Sequence, residues 1–422
     1  MSRIVIIGGG PGGYEAALVA AQLDADVTLV EADGAGGACV LSDCVPSKTF
    51  IASSEVVTGY RHNERFGIRS AGLSGVTVDA KAVNDRVKQL ALAQSGDIQA
   101  KLIKAGVDVV TGRARLGEDT LGHTHQVLIT PVGRAGYAVD AATVLIATGA
   151  TPRVLPTAVP DGVRILDWRQ VYDLDELPSH LVVIGSGVTG AEFASAYLAM
   201  GIKVTLVSSR ERVMPHEDAD AAMAIERVFR ERGMTILNQS RADSVVNTGD
   251  GVLVTLSDGR TVEGSHALMA VGAVPNTADL GLREYGVDVA SGGYVTVDRV
   301  SRTNVPGIYA AERLHRRAAA GQRRRHAGPD RYLARDGRGR GAAAAAHGLR
   351  ERLHRPGAGH RRRLTERRRR RQGARPPGDA AADRQRPGED GSACTTVSSS
   401  SSAARPRARS SAAWSSRRRR AS

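Results

Sequence analysis

The chain has 422 residues and a formal net charge of +14, a length that suits two to three domains at about 150 residues each. The charge is lopsided: residues 312–422 hold 31 Arg, no Lys and 9 acidic residues, a net +22, so residues 1–311 carry −8. The basic character therefore belongs to the tail, and no apolar run approaches the ~20 residues of a membrane span.

The run Arg3 to Ile7 is short and apolar and reads as a buried parallel strand, passing straight into Gly8-Gly9-Gly10-Pro11-Gly12-Gly13. This beginning lacks the basic region and long apolar core of a secretory signal. An alanine-rich helical pattern follows, then a second strand over Asp26 to Val30 and an acid at Glu31. A glycine-rich turn in this strand, turn and helix setting is a dinucleotide fingerprint. Gly8 permits the tight turn, Gly10 lets the backbone approach a pyrophosphate at the helix N-terminus, Gly13 allows close helix packing, and Glu31 can accept from a ribose hydroxyl.

Residues 36–49 follow, Gly-Gly-Ala-Cys-Val-Leu-Ser-Asp-Cys-Val-Pro-Ser-Lys-Thr, with Cys39 and Cys44 standing before a helix-compatible stretch that opens at Pro46. The bland reading of two such cysteines is a pair of small buried hydrophobes. The fingerprint upstream, a helix start and nearby Lys48, which together would stabilise a thiolate, favour a redox pair instead. Reducible cysteines and an acidic body point to the cytoplasm, where a close pair is catalytic more often than structural. Cys394 falls in the tail and is assigned nothing. Further on, Lys81 to Lys104 reads as a long helix and Val107 to Gly112 as a strand.

A second fingerprint begins at the strand Leu181 to Ile184, turns through Gly185, Gly187 and Gly190, and continues as a helix over Ala191 to Met200 and a strand over Lys203 to Val207. Two dinucleotide sites flanking a dithiol imply two cofactors, one passing a hydride to the other and electrons going on to sulfur. Beyond the last strand the chain offers Ser208, Ser209, Arg210, Glu211 and Arg212 rather than a lone acid. Serine and arginine suit a 2′-phosphate, so NADPH is expected over NADH. Asp220 to Gly233 reads as the next helix. His180 and His216 show no metal spacing, and no metal is expected.

With Ala147-Thr148-Gly149, Gly272-Ala273-Val274-Pro275-Asn276 and Gly307-Ile308-Tyr309-Ala310-Ala311, these motifs stand in the order found in the pyridine nucleotide-disulfide oxidoreductases. That flavoenzyme family, which includes dihydrolipoyl dehydrogenase, is the one residues 3–311 resemble. The resemblance implies an α/β fold of two doubly wound units. FAD would sit in residues 1–150 on Gly8, Gly10, Gly13, Glu31, Lys48, Thr148 and Gly149. NAD(P)H would sit in residues 151–272 on Gly185, Gly187, Gly190, Ser208, Arg210 and Gly272, and residues 273–311 would return to the first unit. It implies that NAD(P)H reduces the flavin, that Cys44 is the flavin-facing thiolate and Cys39 the interchange thiol, and that Lys48 pairs with Glu192. The acceptor would be a small disulfide or, by flavin alone, a quinone. The segment Val40-Leu41-Ser42-Asp43 resembles an actinobacterial branch of quinone reductases in which the first cysteine is often lost.

The resemblance breaks after Ala311, where the family continues Gly-Asp and this chain continues Glu312-Arg313. The tail holds six Leu, Ile, Val, Met or Phe in 111 residues, too few to bury a core, and is expected to be disordered. Arginine without lysine, among Ala, Gly, Ser and Pro, is what GC-rich DNA yields out of frame. His326 to Gly337 can be written in codons that, read one base later, spell Met-Gln-Gly-Arg-Ile-Ala-Ile-Trp-His-Ala-Met. A frameshift near Ala311 is therefore expected. It would remove the family's interface domain and its acid–base pair, leaving weak FAD binding and no stable homodimer. The rival class is a non-catalytic basic protein binding nucleic acid through the tail.

Overall fold

The computed structural model describes residues 3–61, 77–118 and 124–317. The expectations for residues 318–422, disorder and out-of-frame translation, lie outside the described residues. The fold is α/β throughout, and its elements begin β1 (Arg3–Ile7), α1 (Pro11–Gln22), β2 (Asp26–Glu31), α2 (Gly37–Leu41), α3 (Cys44–Arg61), α4 (Ala80–Lys104) and β3 (Asp108–Leu116). They continue as β4 (His125–Pro131), β5 (Tyr137–Ala141), β6 (Thr143–Ile146) and β7 (Ala150–Pro152). A second group comprises β8 (Ile165–Asp167), β9 (His180–Ile184), α5 (Val188–Ala199), β10 (Lys203–Val207), α6 (Ala219–Glu231) and β11 (Thr235–Leu237). It continues through β12 (Ala242–Asn247), β13 (Val252–Leu256), β14 (Thr261–Gly264) and β15 (His266–Met269). The chain then makes β16 (Ala273–Pro275), β17 (Val295–Val297), β18 (Ile308–Ala310) and β19 (His315–Arg317).

Seven strands form the first sheet in the order β18-β6-β1-β2-β3-β4-β5. From β18 to β3 the pairing is parallel, and β1, β2 and β6 read as apolar runs because a parallel sheet is covered on both faces. Strand β3 runs past the expected Gly112 to Leu116. Its second half alternates exposed Arg113 and Arg115 with buried Ala114 and Leu116, the period of a strand with one wet face. That half pairs antiparallel with β4, and β4 with β5.

The second sheet, β11-β10-β9-β15-β8, is parallel in every pair, with the antiparallel meander β12-β13-β14 beside it. The chain passes between the two sheets through β7 and β16, which pair antiparallel. Helix α5 starts three residues earlier than expected, because Gly187 is an extended N-cap and the helix follows the turn at once. Helix α4 is capped by Asp79, whose carboxylate accepts from the Ala82 amide at 2.9 Å, and carries Lys101 and Lys104 in its last turn, where cations meet the helix dipole favourably.

Residues 312–317, expected to belong to the tail, fold back on the body. Glu312–Leu314 form one 3₁₀ turn, Leu314 is fully buried, and β19 pairs parallel with β17. An apolar side chain and an open strand edge suffice to capture them. No helix among the described residues is long and apolar enough to cross a membrane.

Candidate functional site

The two glycine turns are built to one plan. Gly8 and Gly185 take φ of 105° and 108°, and a Cβ on either would lie 2.3 Å from a backbone oxygen, that of Ala147 or of Ala270. A Cβ on Gly13 or Gly190 would lie 1.9 or 1.8 Å from the oxygen of Gly8 or Gly185. These four positions accept no side chain, which is why the sequence keeps glycine there. The turns differ at their mouths. Around Gly187 a Cβ would meet nothing within 4 Å, whereas Cβ atoms on Gly10 and Gly12 would lie 3.3 and 3.0 Å from the Glu312 carboxylate.

Glu31, at the end of β2, accepts hydrogen bonds from the amides of Gly9 and of Asp33, the latter at 2.8 Å. It thus braces the first turn from beneath. Thr148 and Gly149 follow β6 and are stapled to the Pro275-Asn276 loop. The Thr148 hydroxyl donates to the Asn276 oxygen at 2.6 Å, the Asn276 side-chain amide donates to the Thr148 oxygen at 2.9 Å, and the Asn276 amide donates to the Gly149 oxygen at 3.0 Å. Gly272, at φ 97°, opens the return crossing, and its oxygen accepts from the Arg153 amide at 3.0 Å.

The dithiol segment lies directly on the first turn. The Gly36 amide donates to the Gly9 oxygen at 2.8 Å, and a Cβ on Gly37 would come within 2.9 Å of the Gly10 Cα. Cys39 is carried on α2 and Cys44 is the first residue of α3, which starts two residues before the expected Pro46. Pro46 is tolerated there because the first amides of a helix have no partner within it. Both sulfurs are free thiols, half-buried, and hydrogen-bonded to each other. The Cys39 thiol is pushed up, first by that hydrogen bond and then by burial. Cys44 is brought down to about 7, first by accepting the bond from Cys39, with Arg313 and Lys48 assisting against burial and Asp43. The shared proton therefore rests on Cys39 and the thiolate on Cys44.

One turn into α3, the Lys48 Nζ meets Glu192 Oε1 of α5 at 2.8 Å. What holds the two helices together is the packing beside this pair. Phe50 is buried against Tyr172, Phe193 and Tyr197, with ring centroids 6.2, 6.3 and 5.1 Å apart. Deletion of such a ring costs about 3–5 kcal/mol, whereas an exposed ion pair is worth at most ~1 kcal/mol.

At the second turn the Ser208 hydroxyl is fully buried. It bonds Ser186 Oγ at 2.7 Å and donates to the Arg210 oxygen at 3.1 Å. It therefore shapes the turn from inside, while the Arg210 side chain is exposed. His180 is accounted for structurally by a 2.9 Å hydrogen bond to the Thr205 hydroxyl.

Sequence reasoning missed what residues 312–314 do. The Gly12 amide donates to Glu312 Oε1. Arg313 reaches Asp43 Oδ2, beside Cys44, at 2.7 Å. Glu312 adopts φ 71°, the left-handed conformation that favours glycine. The only signal available was that Glu312 stands where the family's motif has glycine.

Comparison with known proteins assigns the family. A family model described as pyridine nucleotide-disulphide oxidoreductase matches residues 2–311, and the chain belongs to that family, whose members use FAD and NAD(P)H. It is 53% identical over 315 residues to a Mycobacterium tuberculosis protein named NAD(P)H dehydrogenase (quinone), covering 74% of this chain and 64% of that relative. It is 35% identical over 311 residues to a dihydrolipoyl dehydrogenase of Chlorobaculum tepidum, covering 73% and 64%. The crystal structure of LpdA from Mycobacterium tuberculosis aligns with a TM-score of 0.72 at 50% identity, covering 83% of this chain and 72% of that one. The chain thus spans somewhat under two thirds of the length of these curated relatives.

Proposed function

We propose that residues 1–311 are the electron-transfer body of an FAD-dependent NAD(P)H oxidoreductase, with residues 1–150 and 273–311 holding the flavin and residues 151–272 the nicotinamide nucleotide. The observation that carries this is the pair of matched glycine turns with the Cys39–Cys44 dithiol packed on the first. The fit is good at the second turn, whose mouth at Gly187 is open. At the first turn the cradle is formed and, among the described residues, the Glu312 carboxylate stands at its mouth against a dinucleotide. When bound, the two cofactors supply hydride transfer from NAD(P)H to flavin.

The chain's own residues then have separable tasks. Gly10 and Gly187 leave room for a pyrophosphate at a helix N-terminus. Lys48, held by Glu192, places a positive charge near the dithiol. Arg210 is the residue on which an NADPH preference would rest, since the Ser208 hydroxyl is spent inside the turn. Toward a disulfide RS–SR, Cys39 attacks one sulfur and its proton leaves with the displaced group as RSH. Cys44 thiolate then displaces the second half as RS⁻ as the Cys39–Cys44 disulfide closes, so two electrons pass from dithiol to substrate.

A second reading has a quinone taking electrons from the flavin without the dithiol. One observation favours it: a relative 53% identical over 315 residues is named for quinone reduction. The test uses the purified chain loaded with FAD, comparing Cys39→Ser and Cys44→Ser for NADPH-dependent reduction of lipoamide and of a soluble quinone. The dithiol relay requires both substitutions to abolish lipoamide reduction. Quinone turnover that survives both supports the second reading, and equal loss of it in both, with flavin still bound, sinks that reading. Protein that holds no flavin and binds nucleic acid in a salt-sensitive way would transfer the assignment to the basic-protein class.

A further inference from the structure

We infer that Glu312 is an internal anion seated on the first glycine turn, where it competes with the pyrophosphate of a dinucleotide and sets the affinity of that site. The inference rests on the reading of this turn as the flavin site.

Three observations place it there. The Gly12 amide, in the first turn of α1, donates to Glu312 Oε1. The open sides of Gly10 and Gly12 both face that carboxylate, at 3.3 and 3.0 Å from an added Cβ, while the matching mouth at Gly187 faces nothing within 4 Å. The carboxylate is also held on a short, fixed tether. On one side the Ala311 amide donates to the Ile146 oxygen at 2.9 Å. On the other Arg313 pairs with Asp43 and Leu314 is buried. With the backbone of Glu312 fixed at φ 71° on so short a tether, its carboxylate is presented to the turn at high effective concentration.

A helix N-terminus with exposed amides binds phosphate because donors and dipole favour negative charge. A carboxylate already bonded there removes a donor and adds repulsion against the incoming pyrophosphate. Entry of a dinucleotide must therefore displace Glu312. The second turn has no such occupant among the described residues, so the effect is confined to one of the two sites.

The experiment titrates the full-length chain, Glu312→Gln and Glu312→Gly with FAD, and separately with NADPH. Gln keeps the shape and removes the charge; Gly removes the whole side chain and is at ease with the backbone conformation. FAD affinity is expected to rise at least tenfold in both variants, with NADPH affinity unchanged within twofold. Equal FAD affinity in all three proteins overturns the inference and leaves the flavin reading standing. Binding of NADPH but of no FAD by any of the three overturns the flavin reading and the inference with it. A parallel rise in NADPH affinity also counts against it, because it would show a global change and not displacement from one turn.

Discussion

Cys44 owes its acidity first to the Cys39 thiol, so Cys39→Ala should move the titration of Cys44 upward from about 7 toward the ordinary 9.0. The consequence for reactivity follows from two opposing effects. At pH 7 a thiol titrating at 7 is about half thiolate and one titrating at 9 about 1%, a loss of roughly 50-fold. The more basic thiolate is the better nucleophile, and with a Brønsted slope of 0.4–0.5 two pK units return roughly eightfold. Reaction of Cys44 itself with a small chromogenic disulfide, assigned in the parent by mapping the labelled sulfur, should therefore slow about sixfold at pH 7 and reach a plateau about eightfold higher above pH 10. The sign is fixed by thiolate chemistry: in the parent protein the rate rises through pH 7, and in the variant it rises about two units later. A midpoint for Cys44 in Cys39→Ala within half a unit of the parent value would refute the assignment of the shared proton.

The glycine turns separate stability from binding. Gly13→Ala drives a methyl into the Gly8 oxygen and should cost about 3 kcal/mol or more by thermal unfolding. Gly187→Ala meets nothing, should stay within about 1 kcal/mol of the parent, and should weaken NADPH binding by intruding where a phosphate approaches. At the α3–α5 contact, Phe50→Ala should lose about 3–5 kcal/mol and Lys48→Ala no more than ~1 kcal/mol in denaturant titration. The reverse order would mean that the ion pair, not the aromatic cluster, holds the two helices.

Strands β1 and β9 were readable because their burial on both faces turns them into apolar runs, each ending in a glycine turn whose spacing is dictated by the clashes at Gly13 and Gly190. The dithiol and the Lys48–Glu192 pair were readable through motif order alone, since the two partners of that pair lie on different sheets' helices. The crossing strands β7 and β16 are three residues each, too short to carry a period. The antiparallel half of β3 hid behind arginines on its wet side. The inward turn of Ser208 depends on which face of β10 its residue falls on, and the partners of Glu312 and Arg313 lie near the other end of the chain. No local pattern encodes contacts of that kind.

Position 312 brings strain and binding into one side chain, and its substitutions should rank accordingly in the absence of nucleotide. A left-handed non-glycine residue costs about 1–2 kcal/mol, and a carboxylate accepting from an N-terminal helix amide contributes ~1 kcal/mol. Glu312 carries both. Glu312→Ala keeps the strain and loses the contact, so it should be about 1 kcal/mol less stable than the parent. Glu312→Gly loses the contact but also the strain, while gaining unfolded-chain entropy of about 0.4–1 kcal/mol against it, and should lie close to the parent. Thermal unfolding of the three proteins reads the order directly. Alanine as stable as glutamate would mean that the carboxylate contributes nothing at the Gly12 amide. Glycine less stable than alanine would mean that the backbone at 312 is not held in the left-handed region. Because the Ala311 amide and buried Leu314 fix the chain on either side of this residue, a glutamate can be kept there at all. The same fixation aims its carboxylate at the turn.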